Sequence, residues 1–155
     1  RSQDTSGLML LAKDAKEQSA LHRLFESRQV EKRYEAFLEH EMPVGEEYDI
    51  NLPLCPDITN RPRQMVSEQF GKKAFTHCHV VDNIHGHALV HLFPYTGRTH
   101  QLRVHCAHPE GLNNPIIGDR LYGTPSVRLM LHAAELSLAG KRFISPRKLD
   151  LSVLW

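Results

Sequence analysis

Phe75-Thr76-His77-Cys78-His79-Val80-Val81 alternates along its length, and Ala88-Leu89-Val90-His91-Leu92-Phe93 does so again after the break Asp82-Asn83-Ile84-His85-Gly86. Successive side chains of a strand point to opposite faces, so a period of two marks a strand. Two such runs joined across a short glycine-containing break read as an antiparallel hairpin. Working outward, Glu31 to Glu41 alternates as well, with Tyr34, Ala36 and Leu38 on one face, and Asp49 to Leu54 is a further strand candidate. Leu129 to Leu138, Arg142 to Ile144 and Leu149 to Leu154 read as three final strands, with Ala139-Gly140 turning the first pair. Near the start, Gly7 to Ala12 is an apolar run readable as a buried strand. Helical spacing is confined to two places. Asp14 is placed to cap a helix with Glu17 at its third position, and Leu21, Leu24 and Phe25 carry it to about Ser27. Thr99 to His108 is the second, with Leu102 and Cys106 on one stripe. Strands with hairpin-length connections and two helices predict an α+β domain: a mainly antiparallel, mixed sheet with flanking helices.

The chain has 155 residues, one domain's length, with 41% apolar and 24% charged residues, as in ordinary globular proteins. Nineteen basic residues oppose eighteen acidic ones, so a nucleic-acid partner requires the positive charge to be gathered on one face. Cys55, Cys78 and Cys106 are too widely spaced for a disulfide framework or a paired metal site and read as free thiols of a cytoplasmic protein. No apolar run reaches the length of a membrane span and no signal peptide is visible. The chain opens Arg1-Ser2-Gln3-Asp4 without methionine, which predicts a fragment or a processed product.

The densest polar stretch runs from Tyr95 to His105. Arg98 follows a glycine at the mouth of the second predicted helix, where a fixed guanidinium can clamp a carboxylate or phosphate. Arg103 and His105 follow along that helix; a solvated polar helix is the plainer reading of the pattern. Pro56 to Arg63 holds two prolines and is expected to be an exposed irregular loop presenting Arg61 and Arg63, while Lys72 and Lys73 open the hairpin. Basic residues so placed suit phosphate contact. The histidines at positions 77, 79, 85, 87 and 91 raise a metal-binding alternative, but no HExxH run, paired cysteines or evident carboxylate ligand goes with them. By pattern Tyr34 is a half-buried aromatic. Serine nucleophile elbow, phosphate loop and dinucleotide fingerprint are all absent.

Taken together, the segments resemble the RluA family of RNA pseudouridine synthases. That family opens with an HRLD run, two further residues and Thr-Ser-Gly, then an apolar strand ending in Ala-Lys; Asp4 to Lys13 matches the second half. Lys32-Arg33-Tyr34-Glu35-Ala36 matches Lys-x-Tyr-x-Ala, and Gly97 to His105 matches Gly-Arg-Thr-His-Gln-x-Arg-x-His in full. Ile117 to Gly123 and Leu129 to Ala133 match two later runs, in the family's order. Leu52-Pro53-Leu54 and Asn60-Arg61-Pro62-Arg63-Gln64 resemble the subgroup that modifies both a tRNA anticodon stem-loop and large-subunit ribosomal RNA.

The resemblance implies that residues 1–155 are one pseudouridine synthase catalytic domain lacking its N-terminal part. It implies isomerisation of uridine in structured RNA by a nucleophilic aspartate, with no cofactor and no metal. Tyr34 takes the place of the active-site tyrosine, Arg98 that of the arginine paired with the aspartate, and Leu131 that of the apolar residue near the base. Arg61, Arg63, Lys72 and Arg103 are the expected RNA contacts. The aspartate's register falls on Ser2, three positions before Thr5. Either the chain starts after the aspartate, the favoured explanation, or serine replaces it. In both cases the chain alone is expected to be inactive. The alternative function is a non-catalytic RNA-binding relative of the same fold.

Overall fold

The computed structural model describes residues 6–7, 30–138 and 141–154. Their strands are β1 (Ser6–Gly7), β2 (Val30–Phe37), β3 (Glu47–Asn51), β4 (Leu54–Pro56), β5 (Gln64–Val66), β6 (Phe75–Ile84), β7 (His87–Pro94), β8 (Leu131–Leu138) and β9 (Lys141–Ile144). One α-helix, α1 (Gln101–Ala107), and a 3-10 turn (Leu151–Leu154) complete the described elements. The main sheet runs β1-β8-β2-β7-β6-β3, with β9 also pairing to β8; β4 and β5 form a separate two-stranded ribbon. Only β1 against β8 is parallel, so the sheet is mixed and mainly antiparallel, as the alternating pattern predicts. The helix expected over 14–27 and most of the strand expected over 7–12 lie outside the described residues. No described helix is long and apolar enough to cross a membrane.

The β6–β7 hairpin is present, but its turn is only His85-Gly86, with φ of 53° and 83°. Two consecutive residues at positive φ make the turn whose twist suits a two-residue hairpin. The expected break over 82–86 is therefore mostly strand: Asp82 pairs with Leu89, Asn83 with Ala88 and Ile84 with His87. A register shift between Val80 and Asp82 absorbs Val81 as a bulge, and the alternation resumes out of phase beyond it. Two other expectations are corrected. The strand expected over 49–54 ends at Asn51, because Leu52-Pro53 leads the chain out of the sheet and Leu54 starts the ribbon. The segment 149–154 is not a strand. Asp150 accepts hydrogen bonds from both the backbone N–H (2.9 Å) and the hydroxyl (2.8 Å) of Ser152, a local satisfaction that competes with sheet pairing.

Burial follows strand parity. Thr76, Cys78 and Val80 on β6 and Ala88, Val90 and Leu92 on β7 are buried, while His77, His79, His87 and His91 lie on the partly exposed positions between them. On that inner face Ala36, Leu38, Ile116 and Met130 join Leu102 and Cys106 of α1 in one core. A seven-residue helix does not hold in isolation; Gln101 to Cys106 are all buried against the sheet, and that packing sustains it. Between α1 and β8 the chain is fixed by Ile117 N–H donating to Phe37 O (2.9 Å) and Met130 N–H donating to Ile117 O (2.9 Å). Gly118 between them has φ 83°, and a Cβ there would overlap the Arg128 carbonyl, so only glycine fits.

Candidate active site

A cleft opens on the inner face of the sheet where β2, β8 and the entry to α1 meet. Its lining includes Lys32, Tyr34, Arg98, His100 and Leu131. Tyr34 and Leu131 come from paired strands, two residues apart in register, since Tyr34 lies opposite Ala133 and Ala36 opposite Leu131. Arg98 enters from the turn before α1. Three side chains that are remote in sequence thus share one cavity. Lys32 is there too, on the Tyr34 face by strand parity, which is the signal that could have marked it.

Arg98 is held at three points. Its backbone N–H donates to Gln101 Oε1 (3.1 Å), its carbonyl accepts from the Gln101 N–H (3.1 Å), and its Nε donates to Lys73 O (2.8 Å). Among the described residues no hydrogen bond engages its terminal Nη atoms. The guanidinium is thus oriented while its outer edge stays open to a ligand. His100, at φ 55°, approaches the Tyr122 hydroxyl (Nδ1 to Oη, 2.8 Å), and that hydroxyl also accepts from Gln64 N–H (2.8 Å). Burial pushes the Tyr122 phenol above its ordinary value, so it remains protonated at neutral pH. His100 was not singled out from the sequence, although it stands inside the Gly97–His105 run.

The expected RNA contacts divide. Arg61 and Lys72 are exposed, on the loop and at the start of the hairpin segment respectively. Arg63 donates to Leu121 O and lies 4.9 Å from the Tyr122 ring centre, so it is committed to packing the ribbon against the body. Arg103 is 4% exposed and makes two hydrogen bonds to Asp119, Nε to Oδ2 at 3.0 Å and Nη2 to Oδ1 at 2.8 Å. Its charge is paired with Asp119 inside the protein, although the residue also borders the cleft. The solvated helix expected from the pattern is likewise absent, for His105 and Gln101 are also buried.

Around the histidines, both ring nitrogens of His77 face carboxylates of β3, Asp49 at 2.6 Å and Glu47 at 2.8 Å. Carboxylate oxygens only accept, so the two contacts favour the doubly protonated ring, and the Asp49 hydrogen bond raises its pKa above 6.5. These carboxylates were not evident in the sequence. Among the described residues no group of three or more histidine, cysteine or acidic side chains is arranged to hold a metal.

Ser2 and Asp4 lie outside the described residues. The first described side chain, Ser6, has its hydroxyl 2.8 Å from His132 Nδ1 and 3.3 Å from the carbonyl of cleft-lining Leu131. Strand β1 joins β8 at His132 and Ala133. Ser6 and Gly7 therefore reach the sheet beside the cleft.

Residues 3–108 match the RNA pseudouridylate synthase family. The chain is 44% identical over 137 residues to the dual-specificity RNA pseudouridine synthase RluA of Vibrio cholerae, covering 85% of this chain and 54% of the relative. It is 41% identical over 143 residues to the RluA protein of Haemophilus ducreyi, covering 87% of this chain and 63% of that one. The fold superposes on human RNA pseudouridylate synthase domain containing 1 with a TM-score of 0.69 at 26% identity, over 92% of this chain and 64% of that structure. The chain thus spans between about half and two thirds of the length of these two curated relatives. With residues of three of its motifs lining one cleft and its sequence aligned to these relatives over most of its length, the chain belongs to the RluA family of RNA pseudouridine synthases.

Proposed function

We propose that this chain carries the substrate cleft of a cytoplasmic enzyme that isomerises uridine to pseudouridine in structured ribosomal or transfer RNA. The observation that carries this reading is the convergence of Tyr34, Arg98 and Leu131 on one cavity. Uridine must leave the RNA stack to enter it. There Leu131 and the Tyr34 ring offer apolar surface to the base, and Arg98 offers an oriented cation to the nucleophilic aspartate, keeping it ionised. The aspartate allows the N-glycosidic bond to break; the base turns, bonds again through C5, and the C5 proton is lost as N1 gains one. Tyr34 stands as the candidate for that proton transfer. No cofactor or metal enters this scheme.

The roles of the basic residues follow from their surroundings. Arg61 and Lys72 are taken as phosphate contacts, Arg63 as a support for the ribbon, and Arg103 as a buried structural cation. Residues 1–155 belong to one catalytic domain, and none of them is assigned as its aspartate. A second reading, an RNA-binding relative without catalysis, rests on the serine that stands at the aspartate's register.

Arg98→Ala in the full-length protein tests the assignment. Turnover should fall roughly a hundredfold, as when a preorganised charge partner is removed, with RNA affinity kept within about twofold. A collapse of RNA affinity with kcat unchanged would contradict it. Arg61→Ala should do the reverse, weakening binding and lowering its salt slope by about one.

A further inference from the structure

Behind Arg98 runs a chain of buried polar groups that the proposed chemistry does not use directly. Gln101 is 3% exposed, and Thr76 and His105 are fully buried. The Gln101 amide makes four contacts: Oε1 with the Thr96 hydroxyl (2.6 Å) and the Arg98 N–H (3.1 Å), Nε2 with Phe75 O (3.0 Å) and Thr76 Oγ1 (3.0 Å). His105 continues the chain, with Nδ1 2.8 Å from Thr76 Oγ1 and Nε2 3.0 Å from Leu52 O.

The chemistry of the ends fixes every proton between them. A backbone carbonyl only accepts, so His105 Nε2 carries a hydrogen and donates to Leu52 O. The neutral ring then leaves Nδ1 as an acceptor, filled by the Thr76 hydroxyl. Thr76 Oγ1, having spent its hydrogen, accepts from Gln101 Nε2. Phe75 O takes the amide's second hydrogen. The amide oxygen is thereby turned toward Arg98, whose N–H only donates. Thr96 completes the set, accepting from Phe75 N–H at 3.0 Å and donating to Gln101 Oε1. Reversing the amide would set N–H against N–H at Arg98 and carbonyl against carbonyl at Phe75.

We propose that Gln101 is a positioning residue for Arg98, and that the chain Leu52 O–His105–Thr76 holds its amide in the orientation that does this. The inference rests on the reading of Arg98 given above. Gln101 grips Arg98 by both backbone groups, so the base of the Arg98 side chain is fixed by contacts that reach through the interior to β6 and to the carbonyl before Pro53. The Nε–Lys73 bond sets the direction of the guanidinium only if that base is in place. A displacement of the reacting partner by about an ångström is enough to lower turnover by about a hundredfold.

The test is a double-variant cycle in the full-length protein, measuring kcat and KM on an RNA substrate. Gln101→Met keeps the side chain's length and removes its hydrogen bonds. It should lower kcat by between about ten- and a hundredfold, leave KM within about twofold, and cause no further loss when Arg98 is already alanine. Thr76→Val, which leaves Gln101 in place, should act in the same direction and vanish in the same background; it decides the matter if Gln101→Met does not fold. Independent, multiplicative losses with Arg98→Ala, or a raised KM at unchanged kcat, would overturn the positioning role while leaving the Arg98 assignment intact. Wild-type turnover by Arg98→Ala alone would overturn that assignment and this inference with it.

Discussion

Arg103 and Asp119 meet through two short hydrogen bonds with side chains 5% and 0% exposed. Asp119 also accepts from the backbone N–H groups of Leu121 (3.1 Å) and Tyr122 (3.2 Å), so one carboxylate organises the turn that carries Tyr122. Removing one partner strands the other's charge in the interior. Arg103→Ala or Asp119→Ala should each lower the unfolding free energy of the protein by about 3–5 kcal/mol, measured by chemical denaturation. An Arg103→Ala protein of native stability with weakened RNA binding would restore Arg103 to the RNA surface. The sequence could not disclose this pair. Periodicity placed Arg103 on a polar helix, and no spacing rule links it to an aspartate beyond the helix and a loop. The cleft residues were legible in a different way. By local pattern Tyr34 is only a half-buried aromatic; the ordered motifs carried its assignment, and the fold then brought it to the same cavity as Arg98 and Leu131.

At the scale of elements, β6 presents histidine chemistry of opposite sign on its two sides. On the inner side, burial lowers the pKa of His105 below 6.5, with the His108 charge acting the same way and the Leu52 hydrogen bond against it. On the outer side, His77 is raised above 6.5 and ties β6 to the edge strand β3. The two contribute to stability in opposite pH ranges. As pH falls below 6.5 the unfolded chain takes up the His105 proton first, so that contribution is full above 6.5 and lost on acidification toward the folded value. The His77 contribution is full below 6.5 and lost as pH rises through its raised folded value. Imidazole proton resonances followed by NMR should give a midpoint below 6.5 for His105 and above it for His77; a reversed order would refute both environments. The hairpin that holds His77 was readable because alternation is a local property. Its turn was misplaced because a bulge is a feature of register between strands, and a strand read alone does not contain it. The same holds for the last segment, where Leu149 and Leu151 reach the core without sheet pairing.

At the scale of the molecule, the described residues form a sheet with one face covered by α1 and the 112–130 segment, and the cleft lies where that cover begins. The mainly antiparallel pairing and the α1 stripe were accessible from pattern; the β4–β5 ribbon was not. The cleft was not, because its walls come from positions 34, 98 and 131, which only the closed sheet brings together. The central claim is that this cleft serves uridine isomerisation. It is tested by release of tritium from RNA labelled at uridine C5, comparing the full-length protein with its Arg98→Ala variant. The account predicts release by the full-length protein and release slowed roughly a hundredfold in the variant; no release by the full-length protein on ribosomal and transfer RNA, or undiminished release by the variant, would contradict it.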